Sequence, residues 1–77
     1  MATIIYAGFG VWNSTFDVTD KVKNQYEGGQ RRFLADIAVY GDPSPGNRKY
    51  LFIIWNSSGA LQSGVVGETD REGVNLP

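Results

Sequence analysis

Residues 49–56 read "KYLFIIWN", a lysine followed by six consecutive apolar or aromatic side chains. Successive side chains of a strand point to opposite faces, so Tyr50, Phe52 and Ile54 share one face and Leu51, Ile53 and Trp55 the other. A short run this rich in β-branched and aromatic residues is a strand, and apolar residues on both parities make it a central one. It is either covered on two sides or exposes one aromatic face for binding. On its C-terminal side, "NSSG" at 56–59 is a hairpin loop and "ALQSGVVGE" at 60–68 its returning strand. "DREG" at 70–73 is a second turn, and "VNLP" at 74–77 a short edge strand. On its N-terminal side, "RRFLADIAVY" at 31–40 sets Phe33, Ala35, Ile37 and Val39 on one parity, which predicts a strand with that face inside.

Further upstream, "TIIYAGFGVW" at 3–12 has strand composition with a bulge or tight bend expected near Gly8 or Gly10. The period then changes. Val18, Val22 and Tyr26 recur every fourth residue, predicting one short helix from about Thr19 to Tyr26. Asp17 or Thr19 is placed to cap its first amides and Gly28 to close it in a left-handed conformation. Five or six short strands and one helix make the expected fold mainly β, a small antiparallel β-sandwich. At 77 residues a single core uses all the burial available, so 1–77 reads as one domain.

Composition narrows the function. The chain has no cysteine, hence neither a disulfide framework nor a thiolate metal site, and no histidine, hence neither the usual general base nor the Ser-His and Cys-His pairs. It reads as no enzyme, with no cofactor and no metal. Seven basic and eight acidic residues leave a net charge of -1, which offers no broad cationic field to nucleic acid or an anionic membrane. Arg31, Arg32, Arg48 and Lys49 read as two solvated pairs at strand ends. No apolar run is long enough for membrane insertion, and "MATIIYAGFG" lacks the features of a signal peptide. The expectation is a soluble, cytoplasmic protein, or an extracellular one if the chain is an excised module.

The segment "YGDPSPGNRKY" at 40–50 has the glycine spacing of a phosphate loop in Gly41 and Gly46. The chemistry fails. Asn47 and Arg48 stand where lysine and a hydroxyl are needed, Pro43 and Pro45 each remove an amide donor, and Asp42 repels a phosphate. The same residues make a stiff turn, with Asp42 accepting loop amides, the prolines fixing φ and Gly46 supplying a left-handed position.

Taken together, "IIYAGFGVWNSTFDVTDKV", "YGDPSPGNRKYLFIIW" and "VNLP" resemble a small all-β module. That module is found alone in microbes, appended to some bacterial glycoside hydrolases and, more remotely, at the end of certain J-domain proteins. Asp17, Val18 and Thr19 match its D-V-T-[DE]-x-[VL] element. Gly41, Asp42, Pro43, Pro45, Gly46, Lys49 and Leu51 match its G-D-P-x-P-G-x-x-K-x-L element. The "YAGFG" insertion and the two tryptophans depart from the pattern. The resemblance implies an architecture and an association with carbohydrate-active proteins, and it carries over no catalytic or ligand residue.

Two tryptophans precede amide and hydroxyl residues, in "WNST" at 12–15 and "WNSS" at 55–58. An indole face stacks on the CH-rich face of a sugar while Asn and Ser meet its hydroxyls, which makes Trp12, Asn13, Trp55 and Asn56 the candidate ligand contacts, with Asp42 and Asn47 as lesser ones. The competing assignment places Trp55 in the core and Trp12 at a sheet end. Tyr6, Phe9, Tyr40 and Tyr50 extend either role, and Asn13 and Asn56 also satisfy N-x-[ST]. Asp17 with Asp20, or Glu68, Asp70 and Glu72, are the obvious acidic groupings, which capping and solubility explain more simply. The function expected first is a non-catalytic, lectin-like module for a glycan or glycoprotein. The alternative is a structural or protein-interaction module that self-associates into a homo-oligomer.

Overall fold

A computed structural model describes residues 1–77. In chain order it contains β1 (Ala2–Val11), β2 (Ser14–Asp17), α1 (Thr19–Glu27), β3 (Arg32–Phe33), α2 (Ile37–Tyr40), β4 (Tyr50–Ser57), β5 (Ala60–Gly67) and β6 (Val74–Asn75). The fold is mainly β, as expected. A four-stranded antiparallel sheet has the order β2-β1-β4-β5, and β3 and β6 form a separate two-stranded ribbon. The apolar strand β4 is central, bonded to β1 on one side and β5 on the other. Its hairpin to β5 turns through Ser58 and Gly59, both at positive φ, as tight two-residue hairpin turns require.

One face of this sheet meets the second layer, which is only partly sheet, consisting of α1, α2 and the β3-β6 ribbon. Leu51, Ile53 and Trp55 of β4 join Ile4, Ala7 and Phe9 of β1 and Val66 of β5 in a single cluster of 14 buried hydrophobic residues. Val22 and Tyr26 of α1, and Phe33, Tyr40, Val74 and Leu76, close that cluster from the other side. Helix α1 is short and holds because its N-terminus is tied to β1. Thr19 Oγ1 accepts from the Ala7 amide at 3.0 Å, and Asp17 Oδ1 accepts from the Thr19 amide at 3.0 Å and the Thr19 hydroxyl at 2.6 Å. Those two donors, the hydroxyl first, hold the Asp17 carboxyl below the usual carboxylate value. At the other end Tyr26 Oη accepts from the Ala2 amide at 2.7 Å and donates to the Pro77 carbonyl at 2.8 Å.

Three local expectations are corrected. The expected strand at 31–40 is extended only at Arg32 and Phe33, and Ile37–Tyr40 is a helical turn. Asp36 accepts the Ala38 amide at 2.9 Å and starts that turn, which brings Tyr40 into the core and leaves Ile37 exposed. The irregularity in β1 falls between Ile4 and Tyr6, not at Gly8 or Gly10, so Ile5 is the bulged residue and Ile4 and Ala7 both face inward. Finally, Gly28 stays right-handed at φ -78 while the next residue, Gly29, takes positive φ.

Candidate functional site

The structure separates the two tryptophans. Trp55 lies opposite Ile4 in the β1–β4 ladder, whereas Trp12 follows the far end of β1, eight residues on and roughly 25 Å away at strand rise. Trp55 is 6% exposed, and its indole N–H donates to Gln62 Oε1 at 3.0 Å. It belongs to the core, so the expectation that it contacts a ligand is corrected. Its neighbour Asn56 accepts from the Gly59 amide at 3.2 Å and serves the hairpin turn. Trp12, by contrast, is 94% exposed, and with the exposed Asn13 it forms the β1–β2 turn.

The loop carrying Asp42 and Asn47 sits at the same end of the sheet as Trp12, because Ser14 Oγ donates to the Pro43 carbonyl at 2.8 Å. Its polar groups are bonded within the loop and to Lys49. Asn47 donates to Ser44 Oγ at 2.8 Å, and Asp42 accepts from the Ser44 amide at 3.3 Å and pairs with Lys49 Nζ at 3.0 Å. Lys49 was expected in solvent and is instead 4% exposed, on the same parity as Leu51 and so on the core side of β4. Its ammonium also reaches Glu68 at 3.3 Å and the Ser44 carbonyl at 3.3 Å. Burial pulls the Lys49 pKa down, but the hydrogen bonds to Asp42 and Glu68 and the charges of those two carboxylates outweigh it and hold the ammonium above its usual value. Glu68 is held below the usual carboxyl value, first by the Lys49 backbone amide at 2.8 Å and then by the Lys49 side chain. The lysine of the G-D-P-x-P-G-x-x-K pattern therefore locks the loop to β4 and the end of β5.

Asp70, Asp17 and Tyr40 are engaged in a similar way. Asp70 pairs with Arg48 at 2.9 Å and accepts from the Gly67 amide at 3.2 Å. A broad hollow lined by Thr15, Phe16, Asp17, Asp20, Lys21 and Tyr40 contains Asp17, already engaged with Thr19, and Lys21, which donates to the Val39 carbonyl. Burial pushes the Tyr40 phenol up to about 12, and its hydroxyl donates to Gln25 Oε1 at 3.0 Å.

The least committed surface is the outer face of the four-stranded sheet. Residues paired across an antiparallel ladder share a face, so the registers place four rows there. The first row is Thr15, Gly10, Tyr50 and Gly67, and the second is Asp17, Gly8, Phe52 and Val65. Tyr6, Ile54 and Ser63 make the third, and Thr3, Asn56 and Leu61 the fourth. Tyr50 is 40%, Val65 65% and Leu61 69% exposed, while Tyr6, Phe52 and Ile54 are half-buried only by one another and the sheet. Two glycines flatten this face. A Cβ on Gly8 would sit 2.8 Å from Phe52 Cζ and 3.0 Å from the Tyr6 hydroxyl, and one on Gly67 2.6 Å from the Arg48 guanidinium carbon and 2.9 Å from Tyr50 Cε2, so these rings and the Arg48 guanidinium lie down across the strands. Tyr6 and Phe52 meet at 5.6 Å between centroids, and the Arg48 guanidinium stands 5.1 Å from the Tyr50 ring. The alternation of β4 announced this face as one of its two options. Leu61 and Val65 were missed, because "ALQSGVVG" on its own does not say which parity of β5 faces out.

No helix is long and apolar enough to cross a membrane. Compared with known protein families, curated proteins and solved structures, the chain finds no match to any.

Proposed function

We propose that the chain is a non-catalytic interaction module whose binding surface is the outer face of the β2-β1-β4-β5 sheet. One observation carries the reading. An antiparallel sheet with one face in water ordinarily alternates apolar-in and polar-out, yet here Tyr6, Tyr50, Phe52, Ile54, Leu61 and Val65 occupy the uncovered parity. The pairing of Asp17, Asp42, Glu68 and Asp70 with neighbouring donors, and of Lys49 with two of them, favours structural over catalytic roles for these five. An apolar fluorescent dye tests the reading. At high dilution it should bind the folded protein, and the double variant L61K/V65K should lose that binding while unfolding at the same temperature. A folded protein that leaves the dye dark removes the basis of the proposal.

A second reading, saccharide binding at the β1–β2 turn, is favoured by the 94% exposure of Trp12 beside Asn13 and agrees with the resemblance to a module appended to glycoside hydrolases. It has lost Trp55, and Asp42 and Asn47 are already hydrogen-bonded within their own loop. Trp12→Ala should leave stability within about 0.5 kcal/mol of the wild type, as expected of an exposed surface residue, and remove the iodide-quenchable part of the tryptophan emission. Screening on a glycan array separates the readings. Glycan signals that W12A abolishes and L61K/V65K leaves intact would replace the sheet-face proposal.

A further inference from the structure

The interaction reading leaves open what covers the face; resting on that reading, we infer that the occupant is a second copy of this chain, packed outer face to outer face about a two-fold axis lying between the two sheets. An isologous interface sets each residue against the same surface of its partner, so a charged face repels itself and an uncharged one does not. The four rows contain a single ionisable carboxylate, Asp17, on the edge strand β2 and already turned to Thr19, while Arg48 stands at the opposite corner beside Tyr50 and pairs with Asp70. Between these corners the face presents only aromatic, aliphatic, glycine, hydroxyl and amide groups.

The area is of the right order. β4 and β5 pair over eight residues, a length of about 26 Å, and four strands at about 4.8 Å spacing are about 19 Å wide. Because β2 adds its width only beside Gly8–Val11, each copy offers roughly 440 Å², and two copies bury roughly 900 Å² in total, in the range of weak, transient interfaces. The dimer is accordingly expected to be reversible, with a dissociation constant of micromolar order. Flatness suits this geometry, because the rings over Gly8, and the Arg48 guanidinium and Tyr50 over Gly67, allow two sheets to approach to the ~10 Å spacing of packed sheets. The product is a symmetrical sandwich in which β4 of each copy becomes covered on both faces.

Sedimentation velocity over a wide concentration range tests the inference. Wild type should pass reversibly from monomer to dimer. Val65→Lys, at a position 65% exposed and therefore tolerant of charge in the monomer, should raise the dissociation constant at least about tenfold by burying two like charges. Tyr6→Lys should do the same. Because β4 separates β1 from the edge strand β5, Tyr6 is touched in a face-to-face dimer but not in one formed by pairing β5 edges. A dimer weakened by V65K but not by Y6K would overturn the face-to-face geometry, as would a dimer indifferent to both. A monomer at every concentration would overturn the inference outright, and dye binding tells what else falls with it. If the dye still binds the wild type, the interaction reading stands with a different partner, and if it does not, both are lost.

Discussion

At the scale of single residues, Lys49 is the side chain whose role is least like its appearance in the sequence. In "GNRKY" it looks like one of two solvated cations, yet it ends up inside with two carboxylates and a carbonyl around its ammonium. Parity explains the difference. Two residues before Leu51, it must point to the core side of β4, and burial there is tolerable only with full pairing. Its neighbour Arg48, on the opposite parity, stays outside against Tyr50 and Asp70. The pairing predicts a pH profile. Glu68 lies below 4.5 in the folded state, so its contribution is present above that pH and is lost as pH falls through the lowered value. Lys49 lies above 10.5, so its contribution is present below that pH and is lost as pH rises through the raised value. Thermal unfolding should therefore show a plateau between these limits. Lys49→Met should lower the plateau by roughly 5 °C or more and flatten the alkaline decline. A variant that keeps the wild-type profile would show that the cation does not hold the loop.

At the scale of elements, the legible parts were those whose periodicity no local interaction opposes. β4 and its hairpin followed from alternation and the "NSSG" turn, and α1 from Val18, Val22 and Tyr26, two of which are buried in it. The stretch 31–40 was misread because its alternation was genuine but weak, and Asp36, a side chain that caps helical turns, redirected the backbone halfway along. The candidate site was less legible than the fold. Repetition of Trp-Asn-Ser paired two positions that the antiparallel register places at opposite ends of one ladder, and register is a long-range property. Tyr26 was readable only as an apolar helix position. Its hydroxyl also joins the start of β1 to the segment after β6, accepting from Ala2 and donating to Pro77. Tyr26→Phe keeps the ring in the core and removes both bonds, leaving a part-buried amide and carbonyl unpaired, which should cost about 1–3 kcal/mol. Urea denaturation should show this as a lower midpoint at unchanged slope, with faster amide exchange at Ala2. Unchanged stability would mean that water replaces the hydroxyl at no cost.

At the scale of the whole molecule, one face of the four-stranded sheet is closed by α1, α2 and the ribbon, and the other carries no second layer. If the proposed dimer forms, it completes a second sandwich on that face and makes stability a function of concentration. Whatever binds the native state and not the unfolded chain raises the unfolding temperature by mass action, and for a homodimer the ligand is the protein itself. Each tenfold rise in concentration above the dissociation constant is worth about 1.4 kcal/mol per dimer, or about 0.7 kcal/mol per chain, and for a domain of this size that is roughly 3–5 °C. Wild type should therefore unfold at higher temperature as it is concentrated, in parallel with the sedimentation change. Val65→Lys should keep the unfolding temperature of dilute wild type to a concentration at least about tenfold higher before any rise, since the substituted side chain is exposed in the monomer. The increment should survive added sodium chloride, because the face is almost free of charge and screening has little to act on. An increment that salt erases would point to pairing through the Arg48 and Asp17 corners, and one that V65K leaves at the same concentration would show that the sheet face stays open to water.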